Sequence, residues 1–257
     1  MTTDSPRGLP PQLDIDGAIA TITLRRPDVA NRLELSDLEQ LRQQLAEVDA
    51  APGVLVLRLR GTGRHFCSGF NIGEVGGSEA GARFEALAAA LEAARPVTIA
   101  ILNGGVYGGA TDLALACDFR LGAPGCEMFV PAARLGLLFY RGGLERYVSR
   151  LGLGMAKRVL LAADKLDAQQ MLDCGFLDKL LPDSAALEAE AGRLGGELAG
   201  MAPLALLGMK KHLNRIAAGQ LDAGDIARDI ALADASEDLA EGAQAWRERR
   251  APRFHGR

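Results

Sequence analysis

The chain has 257 residues, 48% hydrophobic and 24% charged, with a net charge of −4 and a pI near 5.5. That is enough chain for one large α/β domain, or one domain with a helical appendage, and nothing in the mildly acidic balance suggests the basic face that a nucleic-acid partner requires. Four cysteines without a Cys-x-x-Cys pair, three histidines without a His-Glu-x-x-His motif, and no apolar run of the roughly eighteen residues that would span a membrane predict a cytoplasmic protein with free thiols and no metal.

Residues 1–10 lack the apolar core of a signal peptide and are expected to form a disordered leader. Residues 13–24 are the first predicted ordered element, with Asp16-Gly17 as a hairpin turn between apolar stretches. Leu38, Leu41, Leu45 and Val48 then recur at helical spacing and lay one apolar stripe, with Ser36 as the expected N-cap and Pro52-Gly53 as the stop. Residues 54–60 (VLVLRLR) and 97–102 (VTIAIL) read as strands. Each runs into a glycine-rich segment, GTGRHFCSGFNIGEVGG after the first and NGGVYGGA after the second, with a helix predicted over 84–94 between them. A helix over 112–116, an exit through 117–122 towards a short strand, and a further strand at 128–130 follow. From Leu153 onward the pattern is almost wholly helical, punctuated by Pro182, Pro203 and the glycines between 219 and 224. Strands in the first half and helices in the second predict an α/β fold with crossover connections and a helical C-terminal part.

A strand ending in a glycine-rich turn exposes backbone N–H groups that no side chain covers. Two such turns facing each other can aim their N–H groups at one oxygen and form an oxyanion hole. Gly104-Gly105 and Gly108-Gly109 precede a helix, so Gly109 falls near a helix N-terminus, where unpaired N–H groups and the helix dipole favour developing negative charge. Taken singly, each segment reads more readily as ordinary loop glycines. Neither is a nucleotide fingerprint: Gly61-Thr62-Gly63 lacks the third glycine, and no Gly-Lys-Ser/Thr follows any turn.

Over nearly its full length the sequence resembles the crotonase, or enoyl-CoA hydratase/isomerase, superfamily. The motifs that carry the resemblance are LRRPDVANRL at 24–33, GTGRHFCSGFNI at 61–72, RPVTIAILNGGVYGGATDLALACDFRLG at 95–122, PAARLGL at 131–137, Gly142-Gly143, and RRAPRF at 249–254. The resemblance implies a ββα spiral core over 11–200, a helical trimerisation region over 201–257, and a homotrimer or dimer of trimers. It implies an acyl-CoA thioester as partner, with coenzyme A arriving as part of the substrate and no permanently bound cofactor. Phe70 and Gly109 are the implied oxyanion donors, with Asn71 and Ile72 beside them at the coenzyme A site, and Arg26 resembles a position that approaches the coenzyme A phosphates.

The chain also departs from the family. Its hydratases use two glutamates, at the positions held here by Asp112 and Ala132, and the third glycine of the family run is Ala110. One carboxylate can take a proton from water while the other delivers one to carbon, and each positioned group is worth roughly 10²- to 10⁴-fold. Losing one argues against efficient hydration and towards isomerisation, decarboxylation or weak hydration, an acyl-CoA lyase or isomerase with Asp112 as its acid. Tyr140 stands where some relatives keep a catalytic aspartate and is a second candidate, set against simple packing at a helix start. Glu85 and Glu92 are weaker candidates; His65, Cys67, Tyr107 and Asp118 read as structural. The rival readings are a family member that binds acyl-CoA without turning it over and a thioester or C–C hydrolase.

Overall fold

The computed structural model describes residues 8–71 and 78–257. The first strand, β1 (Leu9–Asp16), turns at Gly17 into the antiparallel β2 (Ile19–Arg25). Leu9 pairs with Arg25 in the ladder and the Arg25 Nε donates to the Pro10 carbonyl at 2.9 Å, so the chain is already ordered within the last residues of the expected 1–10 leader. Residues 1–7 lie outside the described residues.

The remaining strands are β3 (Val56–Gly61), β4 (Val97–Leu102), β5 (Val106–Tyr107), β6 (Phe119–Gly122), β7 (Glu127–Phe129), β8 (Leu166–Asp167) and β9 (Lys179–Leu180). They make a six-stranded sheet in the order β1-β2-β3-β4-β6-β9, parallel from β2 onward, and a small sheet β5-β7-β8 beside it. Every residue of β4 is buried, as its unbroken apolar run requires of a central parallel strand covered on both faces.

The helices are α1 (Leu35–Ala50), α2 (Ser78–Ala93), α3 (Gly109–Ala116), α4 (Arg141–Lys157), α5 (Ala168–Asp173), α6 (Ser184–Ala199), α7 (Pro203–Ala217), α8 (Ala223–Asp234) and α9 (Glu237–Glu248). The stripe Leu38, Leu41, Leu45 and Val48 seats α1 in one core with Phe84, Leu87 and Leu91 of α2 and Leu113 of α3. On the opposite sheet face, Leu187, Ala191 and Leu198 of α6 pack against Val56, Val97, Ile99 and Ile101. The N-cap of α1 is Glu34, not the expected Ser36: Glu34 and Asp37 form a reciprocal capping box, with the Glu34 N–H donating to Asp37 Oδ2 at 2.9 Å, which starts the helix before Ser36. Among the described residues no helix is long and apolar enough to cross a membrane.

Candidate active site

Both glycine-rich segments leave the same edge of the sheet, one after β3 and one after β4, and backbone hydrogen bonds tie them together. The Phe66 and Cys67 N–H groups donate to the Gly105 carbonyl at 3.1 and 3.4 Å, and the Tyr107 N–H donates back to the Cys67 carbonyl at 3.0 Å. On its other side the first segment is held by the 30–33 loop, through Ser68 N–H to the Ala30 carbonyl at 2.8 Å and Leu33 N–H to the Gly69 carbonyl at 2.9 Å.

This clamping brings Gly69 against the start of α3. Gly69 has a φ of +85°, and a β-carbon there would lie 2.8 Å from the Tyr107 carbonyl and 3.0 Å from the Gly109 nitrogen. Gly108 caps α3 with φ 54° and ψ −130°, a combination open essentially to glycine alone, and sets Gly109 at the first helical position, where a backbone N–H has no intrahelical acceptor. Phe70 and Gly109 are partly exposed, and neither backbone N–H donates to another described residue.

An aromatic wall stands over these amides. Phe84 of α2 lies so close that a β-carbon on Gly109 would meet its ring at 2.6 Å. Its ring centroid is 6.3 Å from Phe70 and 6.1 Å from Tyr140, which stacks on Phe139 at 5.2 Å.

Asp112 sits in the first turn of α3, fully buried, with both oxygens engaged. Arg146 of α4 donates from Nε to Oδ1 at 2.8 Å and from Nη2 to Oδ2 at 2.6 Å, and the Tyr140 hydroxyl donates to Oδ2 as well. Arg146 Nη1 continues to Glu92 Oε2 at 2.8 Å, and Glu92 Oε1 accepts from Arg150 Nη2 at 2.9 Å. Burial opposes the Arg146 charge, but the hydrogen bond and charge of Asp112, with Glu92 behind them, outweigh it and raise its pKa above the ordinary arginine value. Burial first, then the Asp112 charge, push the Tyr140 hydroxyl well above the ordinary tyrosine range, so it stays protonated as a donor.

The structure therefore brings Phe70, Gly109, Asp112 and Tyr140 into one neighbourhood, and Arg26 elsewhere. Arg26 is 4% exposed and its guanidinium is paired with Asp37, Nη2 to Oδ1 at 2.8 Å and Nε to Oδ2 at 3.1 Å, so its charge is matched inside the fold. Asn71 follows Phe70 and donates from Nδ2 to Glu34 Oε2 at 2.9 Å; Ile72 lies outside the described residues. Ala132 opens a short 3₁₀ turn and packs in the core with 9% exposure. Burial pushes the Cys67 thiol up to about 12, which makes it an inert filler.

Sequence reasoning missed Arg146. The available signal was the pair Arg146 and Arg150, four apart on one helix face, with Glu92 as a matching acid on the helix predicted over 84–94. Outside this neighbourhood, His212, Asp225 and Asp229 bring ligand atoms within 4.8 Å of one another, but Lys211 and Arg215 already pair with those carboxylates.

Comparison with known proteins now adds to the geometry. The model of the enoyl-CoA hydratase/isomerase family matches residues 14–257. The 2,3-dehydroadipyl-CoA hydratase of Escherichia coli K12 is 29% identical over 246 residues, covering 93% of this chain and 96% of the relative. The peroxisomal Delta(3,5)-Delta(2,4)-dienoyl-CoA isomerase of Arabidopsis thaliana is 27% identical over 259 residues, covering 93% of each chain. Among solved structures, the enoyl-CoA hydratase of Bacillus anthracis superposes with a TM-score of 0.87 at 26% identity, covering 97% of this chain and 100% of that one.

Proposed function

The chain belongs to the enoyl-CoA hydratase/isomerase family, and on that premise we propose that it binds an acyl-CoA thioester and stabilises its enolate with the backbone N–H groups of Phe70 and Gly109. The observation that carries this reading is the contact of the two turns: the β-carbon position of Gly69 falls 3.0 Å from the Gly109 nitrogen, and both amides lack an internal acceptor among the described residues. An amide left unpaired in a partly enclosed site costs free energy unless a ligand takes it up, and one preorganised oxyanion donor is worth about 3 kcal/mol in the transition state.

Coenzyme A enters as part of the substrate, and no permanently bound cofactor takes part. Hydratases and a dienoyl isomerase are both among the relatives. With alanine at 132 that position supplies no carboxylate to share the proton transfers, which favours isomerisation, decarboxylation or weak hydration over efficient hydration. The assembly is a homotrimer or dimer of trimers in the cytoplasm, and the exposed Met209, Leu213 and Ile216 of α7 are the apolar surface that supports it. A panel of enoyl- and malonyl-type CoA esters tests the reading, scored for binding by thermal shift and for product by chromatography. Binding with turnover of at least one ester is expected; absence of binding to every ester removes the reading.

One observation favours a second outcome, a protein that binds acyl-CoA without turning it over. Asp112 is engaged by three donors from Arg146 and Tyr140, and a carboxylate so held must surrender charge-assisted hydrogen bonds before it can accept a proton. Thermal stabilisation by the esters with no product and no release of free thiol would establish it.

A further inference from the structure

The small sheet β5-β7-β8 carries a line of polar contacts outside the Asp112 cluster, and that line reaches the chain two residues before Gly109. Val106 is wholly buried, so strand alternation sends the next side chain, Tyr107, to the opposite face of β5. There its hydroxyl donates to Glu127 Oε1 of β7 at 2.7 Å, and Lys165 Nζ, just before β8, pairs with Glu127 Oε2 at 2.6 Å. The Lys165 side chain is 58% exposed, which makes its pairing the weaker of the two links. Burial, then the bond to Glu127, push the Tyr107 hydroxyl up to about 12, while Lys165 and then Tyr107 hold the Glu127 carboxyl below its ordinary range. The link is therefore a protonated donor on an ionised acceptor, the stronger kind of hydrogen bond. Tyr107 also touches both glycine-rich turns. Its N–H donates to the Cys67 carbonyl at 3.0 Å, and its phenol lies so close over Gly105 that a β-carbon there would overlap it. The Gly105 carbonyl in turn accepts from Phe66 and Cys67, and the Gly108 N–H donates to the Phe129 carbonyl of β7 at 2.9 Å.

We propose that Tyr107 and Glu127 are positioning residues: the hydroxyl–carboxylate bond between β5 and β7 locks the two glycine-rich turns together and fixes the Gly109 amide relative to that of Phe70. This rests on the reading of those two amides as the thioester oxyanion donors. Strands β5 and β7 share only two residue pairs, Val106 with Met128 and Tyr107 with Phe129, so backbone pairing alone is a short hold on the residues that lead into Gly109. The side-chain bond adds a third tie across the same two strands, and the Tyr107 ring carries it to Gly105 of the same turn. An oxyanion donor has to be held to within about 0.5 Å by the residues behind it. Such precision matters more to a full negative charge than to a neutral carbonyl, so loosening it costs the enolate before it costs affinity.

The probe is acetoacetyl-CoA, a thioester whose carbon between two carbonyls loses its proton to buffer, and whose enolate absorbs at longer wavelength than the keto form. With the full chain in saturating excess at one fixed pH, that band reads the ratio of enolate to keto thioester on the protein. Calorimetry with butyryl-CoA reads affinity for a thioester that stays neutral. We expect the wild type to raise the enolate ratio above that of the free probe. Tyr107→Phe should lower it about tenfold, a part of the roughly 10²- to 10³-fold that a whole oxyanion donor supplies. Affinity for butyryl-CoA should change by less than about twofold, because a neutral carbonyl gains little from the same alignment. Glu127→Leu, which removes the acceptor, should match Tyr107→Phe, and Glu127→Gln, whose amide oxygen still accepts, should keep most of the ratio. An enolate ratio unchanged in Tyr107→Phe and Glu127→Leu, even with a lower melting temperature, reduces the bond to packing and overturns the positioning role. Equal losses in Glu127→Gln and Glu127→Leu overturn the part assigned to the hydrogen bond, and this pair decides the matter if Tyr107→Phe does not fold. A wild type that binds the probe without raising its enolate ratio, or binds neither thioester, instead overturns the oxyanion reading beneath this inference.

Discussion

Arg146 grips Asp112 with two edges of its guanidinium, at 2.8 and 2.6 Å, across a contact from which solvent is excluded. Fixed, desolvated charges of this kind are matched in pairs because an unpaired one is costly. The pair joins α3 to α4 at the carboxylate that also accepts from the Tyr140 hydroxyl, and it sets the first prediction.

Arg146→Met strands the buried Asp112 carboxylate and is expected to destabilise the protein by about 3–5 kcal/mol, whereas Asp112→Leu leaves Arg146 paired with Glu92 and should cost less. The double variant removes both charges and leaves Glu92 with Arg150, so it should recover most of that loss. Urea unfolding of the four proteins measures this; additive losses in the double variant would show that the pair is not coupled.

Gly109→Ala places a methyl 2.6 Å from the Phe84 ring. Overpacking of this kind costs about 1–3 kcal/mol, and the displaced ring should weaken acyl-CoA binding at the same time. Adding Phe84→Leu should restore much of the stability. Equal stability of Gly109→Ala and wild type would mean that the ring moves aside freely.

Burial raises the Cys67 and Cys117 thiols from 9 to about 12. Their folded pKa values exceed the unfolded ones, so their contribution is complete below about pH 9 and is lost as pH climbs towards 12, at about 1.4 kcal/mol per pH unit for each thiol. Unfolding free energy should fall with pH in that window, and Cys67→Ala should make the slope shallower by one thiol. A slope unchanged by that substitution contradicts the assignment.

Ala132→Glu restores a carboxylate where the hydratases of the family carry one, yet Asp112 remains tied to Arg146. Hydration of a short enoyl-CoA should accordingly rise by less than the roughly 10²-fold that a working second carboxylate contributes. A gain of that size or more in the ultraviolet assay for enoyl thioester loss would show that the Arg146 grip does not restrain Asp112.

Much of the fold was legible residue by residue. Strand β4 occupies 97–102 as its apolar run predicts, because a strand buried on both faces needs no periodic signal beyond continuous hydrophobicity. The stripe of Leu38, Leu41, Leu45 and Val48 likewise faces the core as its spacing requires. The start of α1 was not legible, since it depends on Asp37 serving both the Glu34 N–H and the distant Arg26. Arg26 went the same way: local sequence marks it as a free basic residue, and only its fold partner shows that the charge is already matched.

The sequence by itself determined the α/β class, the family, the two glycine-rich turns and the missing carboxylate at 132, because these follow from short-range pattern and side-chain identity. The tertiary structure alone decided that Gly69 abuts Gly109, that Arg146 holds Asp112, and that Tyr140 points its proton inward. Those relations join residues tens of positions apart, and the chemistry of a buried carboxylate is set by whichever donors the packed helices bring to it rather than by its neighbours along the chain.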